Sequence, residues 1–143
     1  VRQRSFVEWL RGVLREQGPQ AQLLSFEMTC FGCSQDIEAA RAFASMVREQ
    51  GARFGIDRLG LDALSTRVLR QVPPDYVKLD SALIHEVDGE EVSGDWVNAI
   101  VALARSMDVQ IVAQGIESEL DAQRLMGIYD AGQGYFFGKP EPV

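Results

Sequence analysis

Residues 109–114 read VQIVAQ, an almost unbroken apolar run that ends on an amide. A strand covered on both faces, as in a parallel sheet, has this character, whereas a strand with one wet face alternates apolar and polar residues. Three other short apolar runs also end in charge. They are LLSFE (23–27, ending at Glu27), RFGID (53–57, ending at Asp57) and YVKLD (76–80, with Lys78 and Asp80). The run at 110–117, QIVAQGIE, carries on from Gln114 to Glu117, and a fifth segment, AGQGYFF (131–137), repeats the pattern around Gln133.

Helix-like stretches separate the runs. Residues 5–16 put Phe6, Trp9, Leu10, Val13 and Leu14 on one helical face, and Gly18-Pro19 stops them. Ser34 is placed to cap a second helix whose Ile37, Ala40, Ala44 and Val47 recur at helical spacing until Gly51. Residues 62–70 predict a short helix ended by Pro73-Pro74, and Trp96, Ile100, Leu103, Ala104 and Met107 mark another. Ser118 with Asp121 resembles a capping box opening the last one. The stretch 86–95, EVDGEEVSGD, reads as an acidic loop.

Strands are thus expected over 22–28, 52–57, 75–80, 109–114 and 131–137, alternating with helices. Right-handed crossovers of this length give an α/β fold of parallel β/α units with helices outside the sheet. Five strands are too few for an eight-stranded barrel, so the chain reads as a small open sheet or as the C-terminal part of a barrel. Either way, strand C-termini open on one rim, where active sites sit. Acidic residues around a single lysine on that rim suit divalent-metal and phosphate chemistry.

The 143 residues suffice for one domain with a real core. The net charge of −7 comes without a basic stripe, which argues against binding a nucleic-acid polymer. No apolar run approaches the ~20 residues of a membrane span, so this segment is expected to make no membrane contact. No secretory signal precedes the first helix, so a cytoplasmic setting is expected. The chain opens directly in a helix-like segment and reads as a piece of a longer protein. Cys30 and Cys33 are spaced as a redox pair or half a zinc site would be. Zinc wants four ligands, and the single histidine, His85, is distant in sequence, so two partly buried thiols are the simpler expectation.

The order of the strand-end motifs resembles the EAL-domain family, cyclic di-GMP phosphodiesterases and their inactive relatives on a modified TIM (β/α) barrel. The family's F-E-I-T-E is similar to Phe26-Glu27-Met28-Thr29-Cys30, and its D-D-F-G to Asp57-Arg58-Leu59-Gly60. Its K-x-D matches Lys78-Leu79-Asp80, and its A-E-G-V-E is similar to Ala113-Gln114-Gly115-Ile116-Glu117. Its Q-G-Y-x-F-x-K-P matches Gln133-Gly134-Tyr135 through Lys139-Pro140. The resemblance makes residues 1–143 a single partial domain, the C-terminal part, without the N-terminal strands that carry the E-A-L signature.

The resemblance implies roles. Glu27 and Asp57 keep metal-ligand positions for Mg²⁺ or Mn²⁺, and Glu117 keeps an acidic one in the catalytic set. Lys78 would stabilise charge on the phosphate or the attacking water, and Asp80 would orient Lys78 or take part in the metal shell, unless the two form a purely structural pair. Gln133 would hold a neighbouring group or water. Tyr135, with Phe136 and Phe137, would offer a guanine a stacking face, unless these aromatics fill the core as those of a closing strand usually do. Three matching positions have lost their acid. Cys30 replaces a loop-anchoring glutamate, Arg58 the second aspartate, and Gln114 a glutamate implicated in catalysis.

An amide cannot act as a general base at neutral pH, and such a loss typically lowers the rate by about 10²–10⁴-fold. Arg58 puts a permanent cation at a metal position; at ~4 Å and an effective dielectric of ~20 one unit of like charge repels by about 4 kcal/mol. The expected function is therefore a degenerate, non-hydrolytic EAL domain that binds cyclic di-GMP, with Arg58 as a phosphate partner and no metal required. It would signal to a partner protein or an attached signalling domain, and a homodimer is compatible with this reading. A weakly active metal-dependent phosphodiesterase and a protein-interaction module without nucleotide are the alternatives.

Overall fold

The computed structural model describes residues 4–60, 62–79, 91–124 and 126–141. Five strands form one parallel sheet in the order β1-β2-β3-β4-β5: β1 Ser25–Thr29, β2 Arg53–Leu59, β3 Tyr76–Leu79, β4 Gln110–Gln114 and β5 Ala131–Gln133. The helices are α1 Arg4–Gln17, α2 Cys30–Gln35, α3 Ile37–Glu49, α4 Ala63–Gln71, α5 Glu91–Ser106 and α6 Glu119–Arg124, with a 3-10 turn at Gly18–Leu23. This is the expected alternation, with strand order following chain order as successive right-handed units require.

One face of the sheet is covered by helices. It presents Phe26, Met28, Phe54, Ile56, Leu59, Val77, Leu79 and Ile111 to the core, where α3 contributes Ala40, Phe43, Ala44 and Val47. Full burial of an aliphatic or aromatic side chain is worth about 1.5–3 kcal/mol, so this face carries most of the fold. Residues in alternate positions, Glu27, Gly55, Asp57, Tyr76, Lys78, Val112, Gln114 and Gln133, line the opposite face.

Aspartates stitch neighbouring strands at their N-terminal ends. Phe54 N–H donates to Asp75 Oδ2 at 2.7 Å while Asp75 N–H donates to the Phe54 carbonyl at 2.8 Å. Asp130 repeats the device with Ile111, at 2.7 and 2.8 Å. Each exchange satisfies a backbone donor that the ladder leaves open.

Several local expectations change. Asp36, not Ser34, caps α3, accepting from Ala39 N–H at 3.0 Å; Ser34 lies inside the additional helix α2 and donates to the Phe31 carbonyl. Thr29 caps α2 and Asp62 caps α4. Gln22 and Leu23 belong to the 3-10 turn rather than to β1. On α1, Leu10 and Leu14 are buried but Phe6 and Trp9 are exposed, because only part of the apolar stripe meets α3. Residues 91–95 are the first turn of α5, not loop; the rest of the acidic stretch and His85 lie outside the described residues. Gly51, at φ +86°, ends α3 as expected.

Candidate functional site

The face opposite the helices is built around Glu27. Cα pairing sets Glu27 beside Gly55, Gly55 beside Tyr76 and Tyr76 beside Gln110. A Cβ on Gly55 would fall 2.4 Å from the Tyr76 ring, so only glycine lets that ring lie across β2. The ring reaches over β2, and its hydroxyl donates to Glu27 Oε1 at 2.7 Å. Lys78 Nζ meets the same oxygen at 2.7 Å. Lys78 is only 15% exposed, and an unpaired ammonium there would be costly; Glu27 is its partner. The guanidinium of Arg53 sits 5.1 Å from the Tyr76 ring centroid and also bonds the Gln110 side chain. Burial, then the hydrogen bond to Glu27, pushes the Tyr76 phenol up to about 12. Asp80 lies outside the described residues.

One step toward the rim, Thr29 pairs with Asp57. The ladder between β2 and β3 then slips. Ile56 faces Val77 but Leu59 faces Leu79, so three steps on β2 match two on β3. Arg58, at φ +54°, is in this bulge. The extra residue returns Leu59 to the core and turns Arg58 outward, 73% exposed, with its Nε 4.0 Å from Asp57 Oδ2. Asp57 Oδ1 is buried without a hydrogen-bond partner.

Beyond the bulge, Gly60 N–H donates to Ser65 Oγ at 3.0 Å, and Ser65 Oγ lies 3.6 Å from Cys30 Sγ. Ser65 is the one buried polar residue among those described, and it ties the loop to α2. Cys30 and Cys33 are both buried and unpaired. Burial pushes the Cys33 thiol up to about 11 and raises that of Cys30.

On the far side of the sheet, Gln114 pairs in register with Gln133. A groove of about 260 Å³ opens there, lined by Gln114, Gly115, Glu117, Gln133, Gly134 and Tyr135. A Cβ on Gly134 would lie 2.0 Å from the Ile116 carbonyl oxygen, so glycine is required for the two turns to touch. Ile116 N–H donates to the Gln133 carbonyl across that contact. Asp121 Oδ2 accepts from Glu117 N–H and Ser118 N–H, and Ser118 Oγ accepts from Asp121 N–H, which is the expected capping box. The Glu117 side chain stays exposed.

Tyr135, Phe136 and Phe137 are 61%, 44% and 58% exposed, against the core reading of these aromatics. The reason is that β5 ends at Gln133 and the chain turns away from the sheet. Lys139 Nζ stands 5.9 Å from the Tyr135 ring centroid, and a second groove of about 510 Å³ shares Gln133, Gly134 and Tyr135.

The carboxylates do not fit a two-metal set. Among the described residues no three His, Cys, Asp or Glu side chains come together to hold an ion. Glu27 Oε1 is already held by two donors, and a cation stands beside Asp57. Tyr76, Gly55 and Ser65 did not stand out in the sequence. Tyr76 lies two residues before Lys78, and that strand period was the available signal.

The sequence profile of the EAL domain matches residues 1–140. The chain belongs to the EAL domain family. Among similar proteins, the cyclic di-GMP phosphodiesterase NbdA of Pseudomonas aeruginosa is 28% identical over 140 residues, 97% of this chain and 18% of that protein. The apo S helix-GGDEF-EAL structure of Vibrio cholerae LapD superposes with a TM-score of 0.83 at 28% identity, covering 94% of this chain and 33% of that one. The PaMucR phosphodiesterase in complex with c-di-GMP gives 0.82 at 27% identity, covering 98% and 57%. This EAL chain therefore has a TIM-barrel-like fold and is related to cyclic di-GMP phosphodiesterases and to EAL structures holding c-di-GMP. It spans about a fifth of the length of the curated relatives it matches. Among the described residues no helix is long and apolar enough to cross a membrane.

Proposed function

We propose that this chain is part of a degenerate EAL domain that binds cyclic di-GMP without hydrolysing it and passes occupancy to a partner protein or an attached domain. The observation that carries the reading is the closed group of Glu27, Lys78 and Tyr76, in which a metal-ligand position of the family is spent on an internal ion pair. Gln114 supplies no proton transfer at its rim position. Arg58, turned outward by the bulge, supplies a planar cation suited to a phosphate.

In this reading Arg58 meets a phosphate of the dinucleotide, and Asp80 and Gln133 hold polar groups around it. The exposed Tyr135 ring offers a base a stacking surface beside the Gln114–Gln133 groove. Glu27, Asp57, Lys78 and Glu117 are what remains of a catalytic and metal-binding set. Mg²⁺ or Mn²⁺ is not needed to hold the ligand.

The test is cyclic di-GMP binding to the full-length protein in EDTA, by calorimetry. Saturable binding is expected, with Arg58→Ala weakening it by about tenfold, the worth of one hydrogen bond to a charged group. Absence of binding would favour the reading of this domain as a protein-interaction module. Unchanged affinity in Arg58→Ala would remove Arg58 from the site.

A further inference from the structure

We infer that Tyr76 and Lys78 together form a lock on Glu27 that withholds its carboxylate from a divalent cation. Both donors sit on β3, two residues apart and so on one face, and both reach the same atom, Glu27 Oε1, at 2.7 Å. An oxygen with two donors on it has no lone pair left to offer a metal. That leaves only Oε2, next to a fixed ammonium that repels an incoming cation.

The lock is built into the sheet. The Tyr76 ring lies in the space that the missing Gly55 side chain leaves, and this directs its hydroxyl across β2 onto Glu27. The Arg53 guanidinium flanks the ring. Tyr76 is therefore a positioning residue, acting on the site through Glu27. The inference deepens the non-hydrolytic reading and rests on it in one respect, that a metal-dependent enzyme would need this oxygen.

The experiment titrates Mn²⁺ alone into the full-length protein, reading free Mn²⁺ by electron paramagnetic resonance and the fold by thermal melting. Tyr76→Phe removes only the hydroxyl and is expected to bind Mn²⁺ about tenfold more tightly, the fold-change of one hydrogen bond to a charged group. Lys78→Met is expected to gain at least as much. In Glu27→Gln backgrounds both gains disappear. Unchanged Mn²⁺ affinity in a folded Tyr76→Phe protein overturns the inference, as does a gain that survives Glu27→Gln. Should Tyr76→Phe fail to fold, Lys78→Met decides, and unchanged affinity there overturns the lock. Cyclic di-GMP binding on the same samples separates the two readings. No nucleotide binding together with the Mn²⁺ gains sinks the receptor and keeps the lock; nucleotide binding without the gains does the reverse.

Discussion

Gly55 leaves the space that the Tyr76 ring fills; a single added methyl would stand 2.4 Å from the ring. Because the Tyr76 hydroxyl ends on Glu27, a backbone choice on β2 fixes a carboxylate on β1. Gly55→Ala should therefore destabilise the full-length protein's domain by about 1–3 kcal/mol, the usual range for overpacking. In a Tyr76→Ala background the same substitution should cost clearly less, since the clash is gone. Urea unfolding of the four variants checks the coupling, and additive effects would contradict the contact.

The buried thiols and phenol give a pH dependence with a definite sign. Cys33 rises from its ordinary 9.0 to about 11 and Tyr76 from 10.0 to about 12, in both cases chiefly through burial. The unfolded chain ionises first. Their contribution to stability is thus full below pH 9 and is lost progressively between pH 9 and 12. Chemical denaturation across that window should show falling stability. At pH 8 the native thiols should react far more slowly with a disulfide reagent than in denaturant. Equal rates in the two states would contradict their burial.

The sheet was largely legible in the sequence and the details of the site only partly. Apolar runs at 53–57, 76–80 and 109–114 announce parallel strands, because a strand buried on both faces needs continuous apolar character, and β2, β3 and β4 follow them closely. The convergence of Glu27 and Lys78 follows from that topology. Ser34 misled because Asp36 is an equally good cap two residues on, and the short helix α2 takes up the interval. The bulge at Arg58 was invisible: arginine carries no signal for a positive φ, and the slip is set by how β2 and β3 pair. The exposure of Tyr135, Phe136 and Phe137 depends on where β5 stops, and the Gly134–Ile116 contact sets the turn there.

Restoring lost groups should separate their effects. Gln114→Glu returns a base to the rim but leaves Arg58, and only a small rise in hydrolysis of cyclic di-GMP is expected with Mn²⁺ present. Gln114→Glu with Arg58→Asp should raise the rate by about 10²-fold or more over the parent once Tyr76→Phe also loosens the hold on Glu27. A chromatographic assay for linear product reads this directly. Full activity from Gln114→Glu alone would show that Arg58 does not impede the chemistry.

The most direct measurement takes the full-length protein, incubates it with cyclic di-GMP and Mg²⁺, separates protein from free nucleotide and identifies the nucleotide in each fraction. Intact dinucleotide retained on the protein, with no linear product over hours, is the predicted result. Accumulation of linear product at a rate proportional to protein would contradict it, and the Glu27–Lys78–Tyr76 group would then have to open during turnover.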